Sequence, residues 1–402
     1  MKPSPHSKII FINQAAGGLF RHLAEDMAAE WPPSTLYTGI SSGANTTQDK
    51  HLSIILTEPY NRQSYLKRLH SGLKYFLTVF VGILRSPSSS VLFIVSNPPF
   101  IPIIGYLFKL LRRQKYVILV YDIYPDILVG TGKLSNKNPI VTIWRHINKM
   151  VWGHAEIVFT IGSCMAKTME SIFTPHTTLP GHVVVIPNCA DIQITESITK
   201  RDNPFAIKYR QTDKLTVMYS GNFGVSHDFG TLLETAKHFA ANDKINFFLI
   251  GEGAQKEFIS SFIEKEQLPN VILLPLQDEN TLPNSLATGD VAIISIGKGT
   301  EGCMVPSKIY NSMAVGSALL GISHGENELK EIISQYQCGI NVAPGDVEGT
   351  IRAITRFAED HEFFKQCKKN SRSAFENDFT RNKNSNKYIE LFSTYIIQNE
   401  RY

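Results

Sequence analysis

Few cysteines and little net charge set this sequence apart, and each shortage excludes a class of function. The formal net charge of the 402 residues is only +4, so we expect no nucleic-acid partner. The five cysteines stand far apart, at Cys164, Cys189, Cys303, Cys338 and Cys367. None of their spacings is that of a zinc or redox site, which indicates a reduced, cytoplasmic setting.

Apolar runs are also short throughout the chain. A bilayer span needs ~20 uninterrupted apolar residues. The nearest stretch, Val91–Leu111, is interrupted by Asn97, three prolines and Lys109. The first run, Lys8–Asn13, is too short for a secretory signal. We therefore expect neither a membrane span nor secretion.

What the sequence does have is an alternation of short apolar runs with helical patterns. This order predicts parallel sheets with helices on both faces, and the chain length favours two domains. The periodicity lapses over Pro187–Pro204. We predict an α/β protein with two Rossmann-like, doubly wound domains, residues 1–195 and 205–380, that face each other across a cleft. Residues 381–402 form either a helix packed back towards the first domain or a solvated terminal helix.

The most informative segment is Glu301–Gly316, EGCMVPSKIYNSMAVG, after the apolar run Val291–Ile294. A helix start with Lys308 beside it predicts a phosphate site. Glu301 would repel an anion but suits the hydroxyls of a sugar. A nucleotide sugar has both groups, so we predict a glycosyltransferase. Alternatively, Lys308 is a solvated lysine and Glu301 is an ordinary loop acid.

Three glycine-containing turns follow other predicted strands. Asn13–Gly18 ends in the pair Gly17 and Gly18, which lets a ligand approach the backbone. Gly221–Gly224 (with Asn222 and Phe223) offers N–H groups to a diphosphate, and Gly251–Gly253 (with Glu252) leaves room for a flat base. Each segment also suits a plain turn. His227 adds partial charge or is a surface histidine.

Acidic residues near the first predicted sheet are candidates for acceptor chemistry. Asp122 and Asp126 lie in YDIYPD after a predicted strand. Asp122 either orients or deprotonates an acceptor hydroxyl, or caps the next turn. Ser96–Pro99 is a candidate wall of the acceptor site. The sequence has no Asp-x-Asp pair and no metal-spaced cluster, so we predict a metal-independent reaction with no cofactor beyond the nucleotide sugar.

Two apolar segments with basic residues suggest a membrane surface. Ile101–Arg113 ends in a basic cluster, and Leu66–Leu84 is similarly apolar. Together they either lie on anionic lipid or form buried helices with solvated tips. The first alternative would suit a lipid-linked acceptor.

Several motifs in a fixed order resemble the family 4 glycosyltransferases of GT-B fold, of the bacterial exopolysaccharide and O-antigen type. They are DIYPD (Asp122–Asp126), IPN-x-AD (Ile186–Asp191), NPF (Asn203–Phe205), YSGNFG (Tyr219–Gly224), HDF (His227–Phe229), EGxxVPSKIY (Glu301–Tyr310) and CG-x-x-V (Cys338–Val342). The resemblance implies a retaining transferase that binds the nucleotide sugar on its second domain and the acceptor on its first.

The resemblance also implies roles for individual residues. The phosphate loop falls on Gly221–Gly224, the lysine on Lys308 and the sugar-binding acid on Glu301, flanked in the same motif by Gly302 and Ser307. Asn311 stands where many relatives have a second glutamate. Glu328 is our candidate for the ribose contact made by that glutamate.

We therefore predict a hexosyl- or N-acetylhexosaminyl-transferase of surface polysaccharide assembly. Its partners are a nucleotide sugar donor and a glycan or lipid-linked acceptor. Its location is cytoplasmic, with peripheral contact at the inner face of the membrane. The alternatives are a nucleotide-sugar epimerase of the same fold and a non-catalytic subunit.

Overall fold

The chain folds into two compact units of similar size. The computed structural model describes residues 8–40, 50–60, 65–172, 182–190, 198–225 and 227–397. The first unit comprises Met1–Pro187 and Arg381–Tyr402, and the second comprises Asn188–Thr380. The change of unit after Pro187 comes earlier than the predicted end of the first domain at residue 195, and residues 191–197 of the expected linker lie outside the described residues.

The first unit is built on a seven-stranded parallel sheet of order β3-β2-β1-β4-β5-β6-β7. Its strands are β1 (Ile9–Ile12), β2 (Ser34–Thr38), β3 (Leu52–Leu56), β4 (Val91–Val95), β5 (Tyr116–Val120), β6 (Ile157–Thr160) and β7 (His182–Val185). Its helices are α1 (Gly18–Glu30), α2 (Tyr65–Leu84), α3 (Ile103–Arg112), α4 (Asp126–Gly130), α5 (Pro139–Gly153) and α6 (Ser163–Ile172).

Burial explains why most of these strands are visible in the sequence. Every residue of β1, β4, β5 and β6 is buried, so each strand is apolar except for Thr160 at the end of β6. On α1, Phe20, Leu23 and Met27 fall on the buried face, as the 3.6-residue period predicts. The prediction omitted β2, because its mixed sequence STLYT after Pro32-Pro33 is typical of a loop.

The second unit has a six-stranded parallel sheet of order β10-β9-β8-β11-β12-β13. Its strands are β8 (Leu215–Asn222), β9 (Ile245–Glu252), β10 (Val271–Leu274), β11 (Val291–Ser295), β12 (Ala318–Ile322) and β13 (Gly339–Val342). Its helices are α7 (Pro204–Lys208), α8 (Phe229–His238), α9 (Lys256–Glu266), α10 (Leu282–Thr288), α11 (Lys308–Ala314), α12 (Glu328–Tyr336), α13 (Val347–Glu359) and α14 (His361–Asp378).

The NPF segment of the sequence is a helix start in this unit. The side chain of Asn203 accepts a hydrogen bond from the Phe205 N–H at 2.9 Å, and Pro204 occupies the first position of α7. The Asn203 amide also donates to the carbonyl oxygen of Asn284 at 2.7 Å. This motif therefore caps α7 and ties it to α10.

The C-terminal segment returns to the first unit as α15 (Arg381–Phe392), followed by a short π-helical turn at Ser393–Ile397. Arg381 donates to both carboxylate oxygens of Asp26, at 2.6 and 2.9 Å. The ring of Tyr388 is buried 4.9 Å from that of Phe159. These contacts attach α15 to the first unit by charge at one end and aromatic packing further along.

Within the described ranges, no helix has both the length and the apolar character that a bilayer crossing requires.

Candidate functional site

The strand order of the second unit indicates which part of its sheet edge is a candidate binding site. β8 and β11 are neighbours although two strands separate them in the sequence, so the chain direction across the sheet reverses between them. At such a switch point the loops after the two strands diverge and leave a crevice beyond their carboxyl ends. The glycine turn follows β8, and the Glu301–Gly316 segment follows β11.

Lys308, the first residue of α11, reaches back across this switch point to β8. Its Nζ donates a hydrogen bond to Tyr219 Oη at 2.5 Å and lies 3.8 Å from the centroid of the Tyr219 ring. Tyr219 Oη in turn donates to the carbonyl oxygen of Asn222 at 2.7 Å. The lysine is therefore held by a cation–π contact and a hydrogen bond, and it is not a solvated side chain.

Burial changes the charge of Lys308. Desolvation lowers the pKa of its ammonium from 10.5 to about 7. Within the part of the chain that the structure describes, no carboxylate forms an ion pair with Lys308. A bound anion would therefore stabilise the charged form of this buried lysine.

Gly221 is required by the position of Lys308. Its φ is +131°, which side chains rarely adopt, and a Cβ there would lie 2.7 Å from Lys308 Cε. Because β8 continues to Asn222, Gly221 and Asn222 belong to the strand and pair with Gly251 and Glu252. The turn thus begins two residues later than its sequence predicted.

The Gly221–Gly224 segment offers fewer free N–H groups to a diphosphate than predicted. The Phe223 side chain is fully buried in the core, and its N–H donates to the carbonyl oxygen of Glu252 at 2.8 Å. That N–H is therefore engaged within the sheet edge. Gly224 follows it in the loop that leads to His227.

The Gly251–Gly253 segment is compact for a packing reason. A Cβ at Gly251 would lie 2.0 Å from the Gly221 carbonyl oxygen, and one at Gly253 would lie 2.6 Å from that of Phe223. Glu252 pairs with Lys256 at 2.6 Å, and both side chains are exposed. Close packing on β8 explains both glycines, and a base-binding role for this segment stays a prediction.

His227 is half-buried and lies against Tyr219. Its Nδ1 lies 3.0 Å from the Ser295 carbonyl oxygen, and its ring packs edge-on against Tyr219 at 5.9 Å. Burial, and next the charge of Lys308, lower the pKa of His227 to about 4. Neutral His227 therefore donates through Nδ1, because a carbonyl only accepts, and its Nε2 is left as an acceptor.

The start of α11 offers fewer backbone donors than predicted. The N–H groups of Ile309 and Tyr310 donate to the carbonyl oxygens of Pro306 and Ser307, both at 3.2 Å. The helix begins at Lys308, with Ser307 as its N-cap and Pro306 before the cap. The ammonium of Lys308 is thus the main positive group that this segment presents.

Glu301 and Gly302 lie in the turn between β11 and α11. Gly302 has φ +67°, and Glu301 is half-buried. The turn is closed by Thr300, whose hydroxyl donates to the Gly297 carbonyl oxygen at 2.7 Å. Sugar binding by Glu301 stays a prediction, as do the roles of Gly302 and Ser307.

A cavity of about 270 Å³ lies beside Lys308 in the second unit. Its polar lining includes Lys308, Asn311, Gln277 and three serines, and its apolar lining includes side chains of β8, α10 and β11. Sequence reasoning missed Leu276 and Gln277, which follow β10. The rule that ligands bind beyond strand carboxyl ends would have identified this loop as well.

Glu328 is the first residue of α12 and only 8% exposed. Burial raises the pKa of Tyr310, and the charge of Glu328 raises it further, so the two residues of this unit are close. A ribose contact by Glu328 stays a prediction.

In the first unit the corresponding switch point lies between β1 and β4. The Gln14 N–H donates to the Asn97 carbonyl oxygen at 3.2 Å, which joins the two predicted loops there. Gly18 begins α1 at the same edge, and a Cβ on its neighbour Gly17 would meet nothing within 4 Å. This edge has room for a ligand, and ligand binding there stays a prediction.

The two acids of YDIYPD have different surroundings. Burial raises the pKa of Asp122 to about 6, as suits a group that exchanges protons near neutral pH. Asp126 forms an ion pair with Arg145 at 2.6 Å and opens α4. Asp126 therefore has a structural role, and Asp122 remains the candidate for acceptor chemistry.

Residues 200–374 match the family model described as "Glycosyl transferases group 1". The chain is also similar to "Probable glycosyltransferase WbjE" of Pseudomonas aeruginosa, with 28% identity over 258 residues, 63% of this chain and 62% of that protein. It is similar to "Putative colanic acid biosynthesis glycosyl transferase WcaI" of Escherichia coli K12, with 24% identity over 252 residues, 61% of this chain and 60% of that protein. The chain thus spans less than two thirds of either relative.

Among solved structures, the fold matches that of Anabaena HepE, crystallised in complex with UDP and glucose. The TM-score is 0.72 at 13% identity, over 97% of this chain and all of HepE. Such low identity supports the fold alone. Together the comparisons confirm the predicted fold class and the family resemblance.

Proposed function

We propose that this chain, which matches the model of the group 1 glycosyl transferases over residues 200–374, transfers a sugar from a nucleotide diphosphate sugar to a glycan or lipid-linked acceptor. We propose surface polysaccharide assembly as the process, since the similar protein WcaI is named for colanic acid biosynthesis. The observation that carries the proposal is the buried Lys308 ammonium, without an ion-pair partner among the described residues, at the switch point of the second sheet.

The donor we propose is a uridine diphosphate sugar, a hexose or an N-acetylhexosamine. The fold neighbour HepE was crystallised with UDP and glucose, which supports the uridine base as the first choice. The diphosphate would lie against Lys308, with the sugar hydroxyls towards Glu301. We propose the same cytoplasmic setting that the cysteine pattern indicates.

In the mechanism we propose, Lys308 stabilises the charge that develops on the leaving diphosphate as its bond to the sugar breaks. A cation already held by Tyr219 needs little reorganisation when that charge appears. Asp122, with its pKa near 6, would accept the proton of the acceptor hydroxyl. Retention of the anomeric configuration and independence of metal ions belong to the same proposal, the latter because the sequence has no Asp-x-Asp pair.

The test is a donor screen with the wild type and Lys308→Met. Uridine and guanosine diphosphate sugars are incubated with a lipid-linked acceptor extract, and products are identified by mass spectrometry. Loss of one well-aimed donor in a dry site costs on the order of 3–4 kcal/mol. We therefore expect Lys308→Met to transfer roughly 10²–10³-fold more slowly.

Lys330→Met is the matched control, because Lys330 is exposed and pairs only with its helix neighbour Glu326 in the contacts described. It should transfer at the wild-type rate. A Lys308→Met variant as fast as the control would contradict the mechanism. Conversion of the donor without acceptor would indicate an epimerase instead.

A further inference from the structure

The outer face of α2 is apolar where a surface helix is ordinarily polar. Its inner face packs on the first sheet through Tyr75, Val79 and Ile83, all fully buried. The outer face carries a stripe at helical spacing, with exposed fractions of 80% at Leu66, 60% at Leu69, 53% at Leu73, 55% at Leu77, 42% at Val81 and 51% at Leu84. Apolar stripes on both sides of one helix mean that folding of the first unit leaves one of them uncovered.

The stripe continues onto the end of α3. Arg112 donates to the carbonyl oxygens of Ile83 at 2.8 Å and Ser86 at 2.7 Å, which fixes the end of α3 against the end of α2. Leu110 and Leu111 on α3 are 62% and 66% exposed. These two leucines at the end of α3 thus extend the apolar surface of α2.

The charge around this surface is predominantly positive. Between Glu58 and Asp122 the chain has no acidic residue and nine lysines and arginines. Lys67 and Lys74 are exposed on α2 among the stripe residues, and Arg85 is exposed directly after the helix. In the described part of the chain, two acids outside the stretch pair with it. Glu58 lies 3.8 Å from Lys74, but both side chains are exposed, and such a pair is weak. Glu156 lies 2.8 Å from Lys109 on α3 and neutralises that one lysine.

We propose that the outer face of α2 (Leu66, Leu69, Leu73, Leu77, Val81 and Leu84), with the end of α3, binds the surface of an anionic lipid bilayer. The helix would lie in the plane of the interface, with its leucines among the acyl chains and its lysines and arginines at the headgroups. A second copy of the chain fits the charges less well. A two-fold contact would bring the same basic surface against itself, and like charges repel.

The inference is independent of the proposed reaction, because it concerns attachment of the first unit. Its test is vesicle co-sedimentation of the full chain without any sugar donor. Wild-type protein should bind vesicles of phosphatidylcholine with 30% phosphatidylglycerol, and binding should weaken with added salt. It should bind pure phosphatidylcholine vesicles at least tenfold more weakly.

Two double variants separate the apolar and charged contributions. Leu73→Gln with Leu77→Gln should reduce the partition coefficient on the order of tenfold or more, because both side chains would leave the acyl region. Lys67→Gln with Lys74→Gln should reduce it about 25-fold, at roughly fivefold per basic residue near an anionic surface. All four positions are exposed, so folding, followed by circular dichroism, should not change.

The matched control is Ile207→Gln with Phe258→Gln, two exposed apolar residues of the second unit, at 55% and 48%. It should bind vesicles as the wild type does. The proposal is overturned if the wild type does not bind the anionic vesicles, or if the Leu73/Leu77 variant binds as the wild type does. It is also overturned if sedimentation shows a dimer that the Leu73/Leu77 variant loses while vesicle binding is unchanged.

Discussion

At the scale of single residues, two opposing effects act on Lys308. Contact with Tyr219 favours its charged form, and burial favours its neutral form. The aromatic face and hydroxyl of Tyr219 favour the ammonium, yet removal from water lowers its pKa to about 7. Near neutral pH the free protein therefore contains this lysine in both forms. An anion bound beside it would shift the balance to the charged form, because opposite charges raise the pKa of a base.

This balance predicts proton uptake when a nucleotide diphosphate binds. At pH 8 Lys308 is mostly neutral in the free protein, and a bound diphosphate should raise its pKa and return about one proton. His227, with its pKa near 4, stays neutral at this pH. Titration calorimetry with UDP at pH 8, in buffers of different ionisation enthalpy, measures the uptake.

The Lys308→Met variant should show no such buffer dependence. Affinity of the wild type for UDP should also fall as the pH rises above about 7, since the free protein loses the charge that binding requires. UDP binding by the wild type with the same enthalpy in every buffer would rule out contact between the diphosphate and Lys308.

At the scale of secondary-structure elements, the segment after β11 and the end of β8 pack together around Lys308. Gly221 on β8 leaves the space that the Lys308 side chain on α11 occupies. Gly251 on β9 and Gly253 just after it allow that end of β8 and the following Phe223 to pack closely. Three glycines near one edge therefore serve the placement of a single lysine.

Gly221→Ala should consequently affect nucleotide binding more than folding. The new Cβ would lie 2.7 Å from Lys308 Cε and move the lysine, so we expect UDP affinity to fall on the order of tenfold or more. The positive φ adds a folding cost of about 1–3 kcal/mol. Calorimetric UDP titration and urea unfolding measure the two effects.

Gly345→Ala is the control for backbone strain alone. Its φ is +83°, and a Cβ there would meet nothing within 4 Å. It should lose stability without losing UDP affinity. Equal UDP affinity in Gly221→Ala and wild type would show that the lysine does not need this space.

At the scale of the whole molecule, the chain begins and ends in the first unit. α15 is attached there by the ion pair of Arg381 with Asp26 and by the buried rings of Tyr388 and Phe392. The ring of Phe392 lies 5.0 Å from that of Trp31. Stability of the first unit thus depends on residues that follow the second.

Arg381→Ala should therefore destabilise the first unit. It removes two charge-assisted hydrogen bonds to a carboxylate that is only partly exposed, and we expect a loss of about 1–2 kcal/mol in the free energy of unfolding. Urea denaturation monitored by tryptophan fluorescence detects it, because Trp31 lies in this unit. Lys387→Ala, at an exposed position of α15, should change stability by less than 0.5 kcal/mol or so, and an equal loss in both variants would contradict the role of the ion pair.

The sequence by itself determined the fold class and most of the strands. Strands buried on both faces are apolar over nearly their whole length, so β4, β5 and β11 are visible without any tertiary information. The position of Lys308 after a buried strand is also visible in the sequence, within one of the motifs of the family resemblance. Strand β2 was missed because its polar residues are not typical of a buried strand.

Only the tertiary structure decided what surrounds these residues. Tyr219, the partner of Lys308, is 89 residues away in the sequence, and no local period relates the two. Burial of His227 and the engagement of the Phe223 N–H likewise depend on which strands become neighbours. Local sequence carries the pattern of burial, whereas contacts, pKa shifts and the uncovered face of α2 arise only when distant segments pack together.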